Sequence, residues 1–395
     1  MTKPKLRIGL IGSGFMGRTH AFGYATASRV FDLPYQVELT CLADISAQAA
    51  ATAAAALGFA RSTDDWRALV NDPEIDVVNI TAPNAFHKEM ALAAIAAGKH
   101  VYCEKPLAPL AADAREMAEA AEAKGIRTQV GFNYLCNPMF ALARDMIMAG
   151  ELGEIRGYRG LHAEDYMADA TSPFTFRLDP AGGGALADIG SHALATAEYL
   201  MGPAAGAITQ VMGDCVTVIH ERPDGKGGTR MVQVDDIGRA FLRFENGATG
   251  SIEGNWIATG RTMQHDFEIY GTRGALAFTQ QRFNELHFFS GGDARGRKGF
   301  RRIEAGPDHP PYGLFCVAPG HQLGFNDLKA IEVAGYLQAL AGQRPEPFSF
   351  RAGLRIQTLV ETIHDSSRDA AWKDVRMEGT PRAPAAREPR EAVGA

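Results

Sequence analysis

Leu6-Arg-Ile-Gly-Leu-Ile-Gly12-Ser-Gly-Phe-Met-Gly17 is a short apolar run that enters a glycine-spaced turn, and Phe15 to Ser28 continues it with a helical pattern. Strand, tight turn and helix in that order open a doubly wound parallel sheet built to hold a dinucleotide. Gly12 permits the turn, Gly14 lets the backbone approach a pyrophosphate, and Gly17 allows close helix packing. Ser13, Phe15 and Met16 place their amides at the positive end of the helix, where an anion is favoured. Glycine-rich turns are common; the placement of this one between strand and helix makes it specific.

Working outward, the second strand, Val37 to Ala43, ends at Asp44, whose carboxylate can accept hydrogen bonds from the adenosine ribose hydroxyls. That favours NAD over NADP. Asp44 lies 27 residues past Gly17 because Val30 to Tyr35 reads as an insertion. Ile45 and Ser46 offer no arginine for a 2′-phosphate, although Arg61 can approach through folding. Asp44 can also cap the alanine-rich helix that begins at Ala47.

The alternation continues through strands at Val77 to Thr81, His100 to Cys103 and Arg127 to Gly131, with helices at Ala91 to Ala97 and Ala111 to Lys124. In such sheets ligands sit beyond the carboxyl ends of the strands. Thr81-Ala-Pro83-Asn84 and Glu104-Lys105-Pro106 fall there. His87 either reaches the same ligand or is a polar residue in the first turn of the next helix. Lys105 directly follows a buried strand, where an ammonium needs a partner or a ligand; the alternative is a surface lysine. Pro106 favours an extended residue before it and so aims Lys105.

From Asn133 the pattern changes. One helix, Met139 to Gly150, precedes strand-like runs at Ile155 to Glu164, Ala207 to His220, Val234 to Glu245, Ala248 to Ile257, Asp266 to Gly271 and Ala275 to Gln280. Asn246-Gly247 is a hairpin signal. The expected result is an open, mainly antiparallel sheet with helices on one face, and an uncovered face suited to a homo-oligomer. Gln322 to Leu340 and Arg351 to Trp372 read as closing helices. The chain thus divides into 1–132, a Rossmann domain; 133–375, an α+β domain; and 376–395, a tail lacking apolar periodicity.

Gly182-Gly183-Gly184 leads to a helix from about Asp188 to Met201, stopped by Gly202-Pro203. Asp188 and His192 share a face of it. Either Asp188 caps the helix and His192 is a core histidine, or the two do chemistry. Oxidising a secondary alcohol requires a base for the hydroxyl proton while hydride leaves carbon, and histidine titrates in the right range. An ammonium stabilises the developing alkoxide, and a carboxylate orients either group. Lys105, Asp188 and His192 supply all three.

Composition narrows the rest. Forty Lys plus Arg against 46 Asp plus Glu, a net charge of −6, offers no general attraction to nucleic acid, so the expected partner is a small molecule. Cys41, Cys103, Cys136, Cys215 and Cys316 lack zinc-site spacing and read as buried, reduced thiols, with no metal expected. There is no secretory leader pattern and no apolar stretch near the ~20 residues of a membrane span. A cytoplasmic location follows. Arg295, Arg297, Lys298, Arg301 and Arg302 read as a solvated hairpin tip.

With these motifs in one order, joined by Glu268-Ile-Tyr-Gly-Thr-Arg-Gly274, the chain from Lys5 to Val375 resembles the glucose-fructose oxidoreductase / inositol dehydrogenase / MocA family. The resemblance implies that Lys105, Asp188 and His192 form the catalytic group. It also implies that Asn84, Glu104 and Arg177 contact the nicotinamide half, with Phe176 standing where relatives have tryptophan, and that the protein is a homodimer or homotetramer. His162-Ala-Glu-Asp-Tyr166 and Ser172 to Arg177 look like the corresponding stretches of levoglucosan and glycoside 3-dehydrogenases. That likeness nominates Asn133, Tyr134, Asp165, Tyr166 and His321 as readers of sugar hydroxyls. The expected activity is NAD-dependent oxidation of a secondary hydroxyl of a sugar or cyclic polyol. The alternatives are an NAD-dependent glycosidase working by transient oxidation and elimination, and a nucleotide-sensing regulator without catalysis.

Overall fold

A computed structural model describes residues 3–346 and 348–377. The first sheet is built from β1 (Lys5–Ile11), β2 (Gln36–Ala43), β3 (Arg61–Thr63), β4 (Val77–Ile80), β5 (His100–Cys103) and β6 (Thr128–Val130). Their order is β3-β2-β1-β4-β5-β6, and every pairing is parallel. Helices α1 (Phe15–Val30), α2 (Ala47–Leu57), α3 (Trp66–Asn71), α4 (His87–Ala96) and α5 (Ala111–Ala123) make the crossovers. Residues of β4 are buried without alternation, as expected of a strand covered on both faces. The strand order reverses between β1 and β4, and a crevice opens there at the carboxyl ends. Two elements of this first sheet and its crossovers escaped the sequence reading, the short edge strand β3 and the six-residue α3. Ser46, not Asp44, caps α2, accepting from the Ala49 amide at 3.2 Å.

After α6 (Pro138–Met148), β7 (Ile155–Ala163) enters the second sheet, and a π-helical turn at Leu186–Gly190 leads into α7 (Ser191–Ala205). There follow β8 (Ile208–Val216), the small hairpin of β9 (Glu221–Pro223) and β10 (Thr229–Met231), β11 (Ile237–Phe244), β12 (Thr249–Asn255), β13 (Gln264–Gly271), β14 (Gly274–Thr279), β15 (Glu285–Ser290) and β16 (Phe300–Glu304). Helices α8 (Tyr312–Phe315), α9 (Phe325–Leu340) and α10 (Phe350–Asp369) precede β17 (Lys373–Asp374). The nine strands run β16-β15-β14-β13-β7-β12-β11-β8-β17 and are antiparallel except for β7 against β12. Along β11, Gly238, Ala240, Leu242 and Phe244 are buried, while Arg239, Phe241 and Arg243 are exposed. One face therefore joins the core under α7 and α10, and the other is open.

Several boundaries differ from expectation for identifiable reasons. Strand β8 stops at Val216 because the amides of Val218 and Ile219 turn onto the Asp236 carboxylate at 2.7 and 2.8 Å. Helix α7 runs through Gly202-Pro203 to Ala205, since a proline in the last turn removes only one hydrogen bond, and ends at Gly206, φ +76°. Helix α9 starts at Phe325, where Asp327 accepts from the Gly324 amide at 2.7 Å. The hairpin signal at Asn246-Gly247 joins β11 to β12 with Gly247 at φ +89°. Of the basic cluster, Arg295, Arg297 and Lys298 occupy the loop between β15 and β16, whereas Arg301 and Arg302 lie on β16. Cys41 and Cys103 are buried; Cys136, Cys215 and Cys316 are only partly so, and all five are free thiols. From residue 378 the expected tail lies outside the described residues. No described helix is long and apolar enough to cross a membrane.

Helix α9 does not stay with the second sheet. It packs on α1, where Gly23 leaves room for Lys329 and Val333. This return brings a lysine from the far end of the chain under the first sheet.

Candidate active site

The glycine turn divides its labour by position. Gly12 has φ +92°, and a side chain on Gly17 would meet the Gly12 carbonyl at 2.2 Å. A side chain on Gly14 would meet nothing within 4 Å, so that surface is left bare for a ligand. Helix α1 begins at Gly14 with no side-chain cap and no acidic residue in its first turn. Uncapped amides beside bare backbone suit a pyrophosphate. The Asp44 carboxylate accepts from the Ser13 amide at 2.9 Å and from the Ser13 hydroxyl, tying the end of β2 to this turn. Arg61 is held away by Asp72 and Glu74. These residues fit NAD.

A cleft of about 900 Å³ runs from the turn to α7. It is lined by Gly12 to Met16, Asp44, Thr81, Pro83, Asn84, His87, Glu104, Lys105, Asn133, Tyr134, Tyr166, Arg177, Asp188 and His192. Of the nominated residues, Gly17 lies behind the turn, and two belong elsewhere. Asp165 faces away and accepts from the Gly260 amide at 3.0 Å, and His321 stands exposed in the loop before α9, outside the cleft lining.

Lys105, in the loop after β5, and Asp188, in the π-helical turn before α7, are brought together. Lys105 Nζ donates to the Asp188 carbonyl at 2.6 Å and to its Oδ1 at 2.9 Å. An ammonium has three donors, so one remains beyond these contacts. Tyr166 Oη and Arg177 Nε donate to Asp188 Oδ2 at 2.8 and 3.0 Å. Burial alone would raise the Asp188 carboxyl, but Lys105 and Arg177 hold it well below the usual range. Asp188 does not cap α7; it sits in the π turn, a widened turn often found at functional sites. Leu186 N donates to Asp235 Oδ2 at 2.8 Å and fixes the start of that turn. A side chain on Gly184, φ +76°, would strike Asp235 at 2.4 Å.

His192 is buried among aromatic rings, with Tyr134 at 4.7 Å, His162 at 5.3 Å and His265 at 6.0 Å between centroids. Burial, then Lys105 and the neighbouring histidines, push its pKa well below the usual imidazole value. It is therefore neutral at pH 7 and able to accept a proton.

Other nominated residues serve as braces. His87 lines the cleft, but its ring nitrogens lie 3.0 Å from the Pro106 carbonyl and 2.8 Å from that of Ala82, stapling the loops after β4 and β5. Asn84 Nδ2 donates to Gly182 O at 3.3 Å, linking the first sheet to the triple glycine. Arg177 binds Asp188, while Phe176 is half exposed with the guanidinium over its ring.

Glu104 heads a buried cluster that sequence reasoning missed. Its Oε1 lies 2.8 Å from His20 Nε2 and 2.9 Å from Lys329 Nζ, and Lys329 also meets Glu332 at 2.6 Å and Tyr102 Oη at 3.1 Å. Burial opposes ionisation, but Lys329 and His20 keep Glu104 well below the ordinary carboxylate range. Glu164 and His162 were missed as well. Residues 162 and 164 share a side of β7 and its extension, and Asp165 does not; period-two alternation would have selected Glu164.

Against known proteins, residues 6–132 match the model of an oxidoreductase family with an NAD-binding Rossmann fold, and 140–277 match the GFO/IDH/MocA C-terminal domain. A levoglucosan dehydrogenase of Pseudarthrobacter phenanthrenivorans is 38% identical over 387 residues, covering 94% of this chain and 98% of that protein. The structure of levoglucosan dehydrogenase in complex with NADH and levoglucosan superposes with a TM-score of 0.90 at 38% identity, over 94% of this chain and all of the other. An NAD binding oxidoreductase from Klebsiella pneumoniae superposes at 0.89 with 40% identity, over 95% of this chain and all of that one.

Proposed function

The chain belongs to the Gfo/Idh/MocA oxidoreductase family, and from that premise we propose that Lys105, Asp188 and His192 oxidise a secondary hydroxyl of a sugar, anhydrosugar or cyclic polyol. It is an NAD-dependent oxidoreductase acting on CH–OH groups. The observation that carries the residue assignment is the double contact of Lys105 Nζ with Asp188, beside a neutral His192 on the same cleft wall.

NAD, held by the glycine turn and Asp44, supplies a hydride acceptor. His192 takes the substrate hydroxyl proton, a role typically worth about 10² to 10⁴ in rate. The remaining Lys105 N–H stabilises the alkoxide that forms. Asp188 stays ionised, holds Lys105 by two contacts, and is itself fixed by Tyr166 and Arg177. In the reverse direction the same groups protonate a ketone. We assign the cofactor to residues 1–132 and the substrate to 133–375. We also read the protein as a cytoplasmic homo-oligomer that covers the open sheet face, where Phe241 is 63% exposed.

The test is formation of reduced nicotinamide with NAD and with NADP across neutral sugars, levoglucosan, glycosides, inositols and sugar acids. A signal with NAD that falls at least about 100-fold in His192→Ala supports the assignment. Full activity in that variant refutes it. Sugar release without accumulating NADH would identify redox-neutral cleavage instead, and NAD binding without any turnover would point to a sensor.

A further inference from the structure

The cleft contains a second acid–base pair that the reaction above does not use. His162 lies near the end of β7 and Glu164 just beyond it, with His162 Nε2 2.8 Å from Glu164 Oε1. The His162 side chain is 1% exposed and that of Glu164 20%, so the imidazole is set in the wall and the carboxyl reaches the cleft surface. The backbone of Glu164 is clamped on both sides. Its amide donates to Asn255 O at 2.9 Å, and its carbonyl accepts from the Ala258 amide at 2.9 Å. A neutral imidazole has one N–H, and donating it from Nε2 orients the carboxyl. Burial and Lys105 keep His162 neutral by pushing it down to about 3.

The cations of the cleft are matched in charge by its carboxylates. Lys105 and Arg177 both bind Asp188, and Glu104 carries its own counter-ion, Lys329. The two cleft cations thus face two carboxylates, Asp188 and Glu164, which leaves no excess positive charge to attract an anionic substrate, and Glu164 presents an oxygen beyond its contact with His162. A carboxylate so placed accepts from a hydroxyl and repels a second carboxylate.

Resting on the dehydrogenase reading above, we propose that Glu164, oriented by His162, determines specificity by accepting a hydrogen bond from a second hydroxyl of a neutral polyol. The site thereby selects polyhydroxylated rings over sugar acids and simple secondary alcohols. The pH dependence follows from the groups around Glu164: His162 two residues before it, Asp188, Lys105, Arg177, Tyr134 and Tyr166 across the cleft wall, and Asp165 next to it in the chain. Burial, with Asp188 and Asp165 in the same sense against Lys105 and Arg177, pushes its carboxyl up to about 7. As pH falls through that value the ionised acceptor is lost: with Oε1 held by the His162 N–H, the other oxygen becomes an O–H donor and a much weaker acceptor.

Glu164→Gln tests this. With the best neutral polyol, KM is expected to rise about tenfold or more, with a smaller change in kcat. The wild-type KM should climb on acidification through about pH 7, and that of the variant should not. On a series of monodeoxy analogues, wild type and variant should coincide for the one analogue that lacks the recognised hydroxyl. An unchanged KM in Glu164→Gln, or a penalty of equal size on every analogue, overturns the proposal while leaving the dehydrogenase reading intact. NADH affinity from its fluorescence, together with the melting temperature, establishes that the variant is folded with a working cofactor site. A wild type that binds NADH but oxidises no polyol overturns both readings.

Discussion

Lys105 and Lys329 each meet a carboxylate deep in the protein, yet their surroundings differ in one respect. The Lys105 side chain keeps 16% of its surface and borders the cleft, whereas Lys329 keeps none. Around Lys105, Asp188 has Tyr166 and Arg177 as further partners on the open cleft wall. Around Lys329 the partners Glu104, Glu332, His20 and Tyr102 close on themselves. A buried ion pair gains little over apolar packing, but breaking one leaves an uncompensated charge. The same pairing of a lysine with a carboxylate thus stands at the cleft surface in one place and is sealed from water in the other.

Removing the cleft ammonium should show first in turnover. Lys105→Met is expected to lower kcat by about 10³-fold, the scale seen when a donor to a developing oxyanion is lost. Single-turnover NADH formation measures this, and a loss below about tenfold would break the contrast. Lys329→Met should act on stability instead, by about 3–5 kcal/mol in denaturant unfolding. Lys105→Met should lose less than half as much, because Asp188 retains Arg177 and Tyr166. Adding Glu104→Gln to Lys329→Met sharpens the point, since removing the stranded carboxylate should recover part of the loss.

Acid gives the most graded effect. His87, His162 and His192 on the cleft wall, His265 packed behind them and His20 in the sealed cluster are all lowered by burial. Below about pH 6.5 the unfolded chain takes up these protons and the fold does not. Stability should therefore fall with acid, by up to about 1.4 kcal/mol per pH unit for each histidine. Glu164 and Glu332 are raised and work in the opposite sense between about pH 4.3 and their folded values, offsetting part of the slope. Asp188 and Glu104 are lowered, and their contribution disappears only below about pH 4. Melting temperature against pH measures the sum. Since three of the histidines border the cleft and one the sealed cluster, His162→Asn should flatten the curve by about one proton.

Much of this was legible in the residues. The glycine turn, the carboxylate at the end of β2 and the lysine after β5 are local signals, because each depends on backbone within a few positions. The nomination of Asp188 and His192 rested only on the demands of the chemistry. Asp188 sits in a π-helical turn whose Leu186 amide is held by Asp235, 49 residues further on, which no local pattern announces, and His192 follows in α7. Asp165 was chosen where Glu164 faces the cleft, a one-residue error in a segment whose alternation was readable. His321 had no such signal, since its loop is placed by contacts distant in sequence. Lys329 and Glu332 look like an ordinary surface pair one helical turn apart; only the docking of α9 on α1 buries them.

That docking bears on how the chain may be cut. Glu104 and its counter-ion are separated by 225 residues, so a fragment ending near residue 132 would carry the glycine turn and the carboxylate without the lysine. The nucleotide-binding half is thus not a transferable module. A circular permutant or chimera that keeps α9 with the first sheet preserves the charge balance, and a swap made at the apparent boundary between the two sheets does not.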